Sequence, residues 1–488
     1  MASTDVVRTR TGVYHDSVSL MRVSRAAAAL PGVEVAVVAM ATELNLGIAA
    51  DLGFGLPRAD PGDLLIALRG EADALEAASA ELDGLLAALS APSAGGGGAE
   101  RPPRTVRAAA RERAATLALV SVPGPHAFAE ALDAVEAGLS VMIFSDNVPV
   151  EQEVLLKRRA AERGVLVMGP DCGTAVVGGA GLGFANVLRP GPVGLVAASG
   201  TGAQQVSCLL DLAGVGVSHV LGVGGRDLSA DVGGLSTLRA LEALDADPAT
   251  ELIVLISKPP APEVARAVEE AVAKLGTPVV TALLGTGQDD LTSATEAALR
   301  ALGVPVPTWP SWPVPGTGGA AHAASAASGL PGKPGLPGTG DAGAGGNLRG
   351  IYSGGTLCVE ARLVAGHGEF TDFGDDAYTV GRAHPMIDPT LRLEALAEVP
   401  PGDVVLLDVV LGHGADPDPA ARLAPAIAEA VARGVTAVVA LVGSEGDPQG
   451  LATQAGALNA AGAAVFTSNA GAAGHAARAS AGIAANTR

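Results

Sequence analysis

An α/β protein built from several parallel-sheet domains is predicted by three features of the 488-residue sequence. Apolar runs of strand length alternate with amphipathic, Ala- and Leu-rich stretches of helix length. The runs are continuous rather than alternating with polar residues, which suits strands covered by helices on both faces. Two Gly- and Pro-rich stretches then divide the chain into separate packing units.

Residues 1–92 read as an N-terminal α/β domain, with strands at Val35 to Met40 and Leu64 to Leu68 and helices at Ser19 to Leu30 and Ala72 to Leu89. Residues 93–113 contain Gly95, Gly96, Gly97, Gly98, Pro102 and Pro103, too little apolar surface to offset chain entropy, and are expected to be a flexible connector. A βαβ domain follows over 114–190, with strands at Leu117 to Val122, Val141 to Phe144 and Val165 to Met168 and helices at His126 to Ala137 and Gln152 to Arg163. A further parallel-sheet domain over 191–307 uses strands at Val193 to Ala197, Val217 to Val223, Leu252 to Ile256 and Val279 to Leu284. Residues 308–349, dominated by Gly, Ala, Ser and Pro, read as a disordered linker, and Pro331-Gly332-Lys333-Pro334-Gly335 is too short for a collagen helix. Strands at Val404 to Val410, Val435 to Val442 and Ala464 to Thr467 place a last α/β domain at 350–488.

Composition narrows the functional classes. Lys and Arg number 31 against 51 Asp and Glu, a net charge of −20, which argues against nucleic acid and anionic membranes as partners. Aromatic residues at 2% leave little for base stacking. Three scattered cysteines, Cys172, Cys208 and Cys358, support neither a disulfide framework nor a thiolate metal site. The start, Met1 to Arg10, has no apolar core of signal-peptide length, and no later apolar run reaches the ~18 residues of a membrane span, so a cytoplasmic protein is expected.

Ligands of open parallel sheets gather at the carboxyl ends of strands. There, Ala198-Ser199-Gly200-Thr201-Gly202 opens a helix: Ser199 and Thr201 either cap it or bind a phosphoryl oxygen, and Gly200 permits close approach. Gly224-Gly225-Arg226-Asp227 ends another strand, with Arg226 either an anion clamp or part of a solvated turn. Lys258 leaves a buried strand into Pro259-Pro260, positioned to neutralise a transferring group or to cover a sheet edge. Gly169-Pro170-Asp171-Cys172 reads as a substrate loop or a packed turn, and no His or Asn can be tied to Cys172 as a nucleophile's partner. Ser353-Gly354-Gly355-Thr356 repeats the helix-opening chemistry as a second anion site. Asp375, Asp376, Arg382, His384 and Asp388 form either a polar substrate loop or a salt-bridged surface, at spacings that match no metal motif. No metal is expected, and with neither a Walker sequence nor a complete Gly-x-Gly-x-x-Gly fingerprint with its distant acid, autonomous ATP or NAD binding is not indicated.

Val122-Pro123-Gly124-Pro125, Gly169-Pro170-Asp171-Cys172, Ala198-Ser199-Gly200-Thr201 and Gly222-Val223-Gly224-Gly225 resemble, in order, the α-subunit of succinyl-CoA synthetase. From about Thr371 the chain resembles the C-terminal domain of the β-subunit, fused in one polypeptide. Within that superfamily, Phe144-Ser145-Asp146-Asn147-Val148, Met168 to Thr174, Gly224 to Ser229, Ser257-Lys258-Pro259-Pro260 and Tyr378 to Pro389 resemble the FdrA family. The resemblance implies Rossmann- and flavodoxin-like domains of the succinyl-CoA synthetase type, with a CoA-binding-like domain at 114–190 and a CoA-ligase-like domain at 350–488. It also implies a component of a carbamoyltransferase that converts oxalurate and phosphate to oxamate and carbamoyl phosphate in allantoin catabolism, with other protein subunits as partners.

The departures matter as much. The synthetases relay phosphate through a histidine after the strand that ends here at Ser257, yet no histidine lies between His219 and His322. The glycine turn that holds CoA and the ATP-grasp domain also have no counterpart. What the resemblance leaves is a cradle for an acyl-phosphate-like species between helix N-termini. Ser199, Gly200, Thr201, Gly224 and Gly225 are then expected to bind phosphate. Lys258, Arg226, Arg382 and His384 are the catalytic candidates, and Asn147 and Gly169 to Cys172 form the substrate loop. Phosphate or carbamoyl phosphate is the expected ligand, with a small acid or carbamoyl compound as substrate. An acid-thiol ligase using CoA and a non-catalytic scaffold are the alternatives.

Overall fold

The computed structural model describes residues 3–13, 15, 17–90, 103, 105–112, 114–285, 287–314, 346–379 and 382–486. Most of both expected connectors lies outside these residues. At the ends of the connectors, short elements are present. Val106–Glu112 is a helix. Ser311–Trp312 pairs with Ala464–Phe466 as an antiparallel edge strand.

Residues near the N-terminus form an antiparallel sheet in the order Thr4–Arg10, Leu64–Gly70, Val33–Met40. Its central strand is apolar on both faces: Leu64, Ile66 and Leu68 pack with Leu20, Val23 and Leu82, while Leu65 and Ala67 pack with Ala49 and Phe54. Thr4–Arg10 escapes a reading by apolar runs because it is an edge strand whose Arg8 pairs with Asp83 at 2.7 Å.

Leu117–Val120, Ser140–Ile143 and Val167–Met168 form a parallel sheet covered by the helices Gly124–Glu136 and Val150–Arg163. The next sheet has the order Val279–Leu283, Leu252–Ser257, Pro190–Ala197, Val217–Gly222, Thr174–Val177, Ala180–Gly183. Its first four strands are parallel, and the last two form a hairpin added antiparallel to the edge. The sheets therefore divide near Gly173, not at the 190/191 boundary expected from sequence, because Thr174–Val177 takes its hydrogen bonds from Val217–Gly222.

The C-terminal sheet runs Ser311–Trp312, Ala464–Phe466, Thr436–Val442, Val404–Val410, Leu348–Tyr352, Glu369–Asp372, parallel except at the first pair. It shares one apolar core with the preceding sheet, in which Val206, Leu210 and Ala294 join Leu357, Ala361 and Ala473. Buried polar side chains lock the two together. Gln205 Nε2 donates to Thr467 O at 3.0 Å and its Oε1 accepts from Asn469 N at 3.0 Å. Asn186 Nδ2 donates to Asp447 Oδ2 at 2.7 Å, and Val187 N donates to Asp447 Oδ1 at 2.8 Å. Polar groups this deep are stable only when partnered, so the pairing fixes how the two sheets meet.

Candidate functional site

Two helix starts meet at that junction. Gly200–Leu212 begins at the carboxyl end of Pro190–Ala197, with Ser199 as its N-cap: Ser199 Oγ accepts from Gly202 N at 2.9 Å. Gly355–Ala365 begins after Leu348–Tyr352, and its N-cap Gly354 has no side chain to satisfy the opening N–H groups. A β-carbon placed on Gly354 would lie 2.6 Å from Thr201 Oγ1 and 2.7 Å from Thr201 Cγ2, so the two helix starts touch. The opening N–H groups of each helix have no acceptor within it, and the two partial positive charges face one cleft.

Lys258 follows Leu252–Ser257, which neighbours Pro190–Ala197 in the sheet. The chain leaves Pro190–Ala197 toward Val217–Gly222 on one side and returns to Leu252–Ser257 on the other, making this the switch-point crevice of the sheet. Lys258 is exposed and has no ion-pair partner among the described residues. A β-carbon on Gly355 would lie 3.2 Å from its Nζ and 2.5 Å from Asp372 Oδ2. Lys258, Gly355 and Asp372 thus share one small space. Burial pushes Asp372 up to about 6, opposed by the N–H of Gly374 and by Lys258 and aided by Asp408.

The loop from Gly169 to Cys172, expected from sequence to meet substrate, forms another wall. Gly224, at φ +91, lets its strand end approach Pro170, whose carbonyl would lie 2.6 Å from a β-carbon there. Asp171 N donates to Ser145 O at 3.0 Å, joining the loop to Ser145-Asp146-Asn147. Asn147 at φ 52 and Asp171 at φ 57 are the non-glycine residues in left-handed conformation among the described residues, and strained backbone of this kind gathers at functional sites. Asp171 touches solvent at the mouth of the recess. The crowded walls, then the carboxylates of Asp146 and Asp376, push it up to about 7, against Lys258 and Arg226.

Other expected residues have structural partners. Ser353 N and Oγ both donate to Asp408, at 2.7 and 3.0 Å, and Asp408 pairs with Arg392 at 3.0 Å. The hydroxyl of Ser353 is therefore committed inside the domain. Cys172 is buried, and burial pushes its thiol up to about 12. Arg226 is half-exposed but clamped, donating to Glu153 Oε2 at 2.9 Å and to Val148 O at 2.7 Å. Its neighbour Asp227 lies wholly inside, taking donors from Lys157, Ser236 and Thr237. Gly225 has open space where a side chain would project.

His384 approaches from the C-terminal domain: its Nε2 would lie 3.0 Å from a β-carbon on Gly374, and its Nδ1 accepts from Met386 N at 3.3 Å. Burial, reinforced by Arg392, holds it down to about 4, so it is neutral at physiological pH. Arg382 is exposed, on a surface pocket lined by Phe373, Tyr378 and Asp388 rather than in the cleft. Val380 and Gly381 lie outside the described residues. Asp372 and Glu153 were missed by sequence reasoning. Asp372 sits one residue before the Phe373-Gly374-Asp375-Asp376 run, and the strand that aims it carries too few apolar residues to be read.

Residues 189–283 match the CoA binding domain family, and residues 351–479 match the CoA-ligase family. The first match lies C-terminal to the 114–190 segment that the resemblance assigned to CoA. The uncharacterized protein YahF of Escherichia coli (strain K12), a FdrA-like protein, is 38% identical over 94% of this chain and 95% of its own length. The chain belongs to the FdrA family. Succinate–CoA ligase [ADP-forming] subunit alpha 2 of Archaeoglobus fulgidus is 31% identical over 32% of this FdrA-family chain and 54% of its own length. A dinucleotide-forming acetyl-coenzyme A synthetase from Ca. Korarchaeum cryptofilum overlays with a TM-score of 0.29 at 17% identity, covering 79% of this chain and 86% of its own.

Residues 2–103 match the AllF, heavy metal-associated domain. The side chains there do not suit a thiophilic ion: the span has no cysteine, and no cluster of three His, Cys, Asp or Glu able to hold a metal occurs among the described residues. No helix among them is long and apolar enough to cross a membrane.

Proposed function

We propose that this FdrA-family protein is the component of a carbamoyltransferase that holds phosphate and the carbamoyl group between two helix N-termini. The observation that carries the reading is the contact of Thr201 with Gly354, which brings both helix starts and Lys258 to one cleft. In the proposed reaction a phosphate oxygen attacks the terminal ureido carbonyl of oxalurate, and the carbon–nitrogen bond to oxamate breaks. The N–H groups at Gly200, Thr201 and Gly355 stabilise the charge that develops on oxygen, and Lys258 Nζ neutralises the phosphate. Arg226, held by Glu153 near Asp171, is aimed to take the oxamate carboxylate. Partner subunits supply what this chain lacks.

A second reading, an acid-thiol ligase working with a partner subunit, is favoured by the matches to the CoA binding and CoA-ligase families. Calorimetric titration of the purified chain separates the two. Saturable heat with carbamoyl phosphate, weakened about 10- to 100-fold by Lys258→Ala as expected for one charge-assisted contact, supports carbamoyl transfer. Saturable heat with CoA and none with carbamoyl phosphate puts the ligase first.

A further inference from the structure

Asp372 ends the strand Glu369–Asp372, which pairs with Leu348–Tyr352, and so stands beside the start of Gly355–Ala365. Its Oδ1 accepts from Gly374 N at 2.9 Å. Its Oδ2 has no donor among the described residues and points toward the space that Gly355 leaves open, where Lys258 Nζ also reaches. A carboxylate can only accept hydrogen bonds, and an anion entering this space would meet a like charge unless the carboxyl carried a proton. From this geometry we infer that Asp372 carries the proton of the cleft, taking one up when a dianion binds and presenting it to the bound oxygen.

The inference rests on the cleft being an anion site and gives that reading its acid. In carbamoyl transfer the departing oxamate nitrogen receives the electron pair of the broken carbon–nitrogen bond and the proton of Asp372. The proton of the attacking hydrogenphosphate then restores the carboxyl, so atoms and charge balance.

The surroundings agree. Burial is the largest influence on Asp372, and Asp408 and Asp375 push in the same direction. The groups facing it from packed elements are Lys258 after Leu252–Ser257, Asp408 on Val404–Val410, Arg392 on Thr390–Ala397, Cys358 on Gly355–Ala365, and Asp375 on its own loop. His384 approaches across Gly374, and Asp171 lies beyond Lys258. Cys358, pushed up to about 12, and His384, held down to about 4, are neutral near neutrality. Asp171, pushed up to about 7, is the neighbour whose titration overlaps.

The test uses sulfate, whose charge is constant from about pH 5 to about pH 8, in the full chain carrying Asp171→Asn. The expected Kd rises toward tenfold per pH unit above about pH 6, the signature of one proton taken up with the ion. Adding Asp372→Asn, or Asp372→Ser if the first variant folds poorly, is expected to flatten that dependence. A slope that survives both substitutions overturns the inference. Sulfate binding that appears only after Asp372 is replaced also overturns it, because the carboxylate is then itself the resident anion. No binding of sulfate or inorganic phosphate at about pH 5, in parent and variants alike, overturns the anion-cleft reading along with it.

Discussion

Burial sets the protonation of single side chains here, and it pushes two neighbouring acids, Cys172 and Asp171, the same way. The Cys172 thiol packs against Gly222, its Sγ donates to Thr174 O at 3.5 Å, and it is pushed up to about 12. Thiolate is therefore scarce near neutrality, and alkylation of the folded chain by iodoacetamide is expected to leave Cys172 unmodified. Mass mapping checks this, and full labelling before unfolding would remove Cys172 from the packed loop. Asp171, one residue away, is pushed up to about 7 because its recess disfavours the charged form. Its folded-state value lies above the unfolded one, so its stabilising contribution is complete below about pH 4 and is lost as pH rises through about 7. Asp171→Asn is accordingly expected to raise the melting temperature at about pH 8, on the order of 1 °C given solvent screening, and to leave it unchanged near pH 4. A scan of melting temperature against pH decides the sign.

At the scale of elements, the contact between the two helix starts depends on glycine. Gly354→Ala would drive a methyl group into Thr201, so phosphate binding is expected to fall at least tenfold, and Thr201→Gly in the same chain is expected to restore most of it. Failure of that rescue, with both variants folded, would mean that the contact does not shape the cleft. The helix starts were legible in the sequence because Gly, Ser and Thr after an apolar strand have few structural roles other than caps and anion cradles. Their facing one another was not legible, since it depends on Gln205, Asn186 and Asp447 bonding across some 260 residues of chain. Asp372 and Glu153 were hidden for the same reason. Each is an ordinary acid in sequence and acquires meaning only beside Lys258 or Arg226. The antiparallel N-terminal sheet was also missed, because Thr4–Arg10 hides its strand character behind paired arginines.

At the scale of the molecule, the cores predict how the chain comes apart. Among the described residues, the two apolar clusters on either face of Leu64–Gly70 are confined to the N-terminal segment, where Leu20, Leu64, Ile66 and Leu82 pack together without sharing an apolar cluster with the other sheets. The link from that segment to the C-terminal domain is polar: Arg25 donates to Ile387 O at 2.9 Å and pairs with Asp416 at 2.9 Å. By contrast, the two large sheets share one core across the Gly200–Leu212 and Gly355–Ala365 helices, so neither can melt without exposing the other. Calorimetry is expected to show the N-terminal segment as a separate transition and the two sheets as one. Gln205→Ala should lower the shared transition alone, because it strands Asn469 N and Thr467 O inside the junction at a cost of about 1–3 kcal/mol for each unsatisfied group. If the two large sheets melted independently, the facing helix starts would belong to two separable bodies and the cleft would form only when they dock.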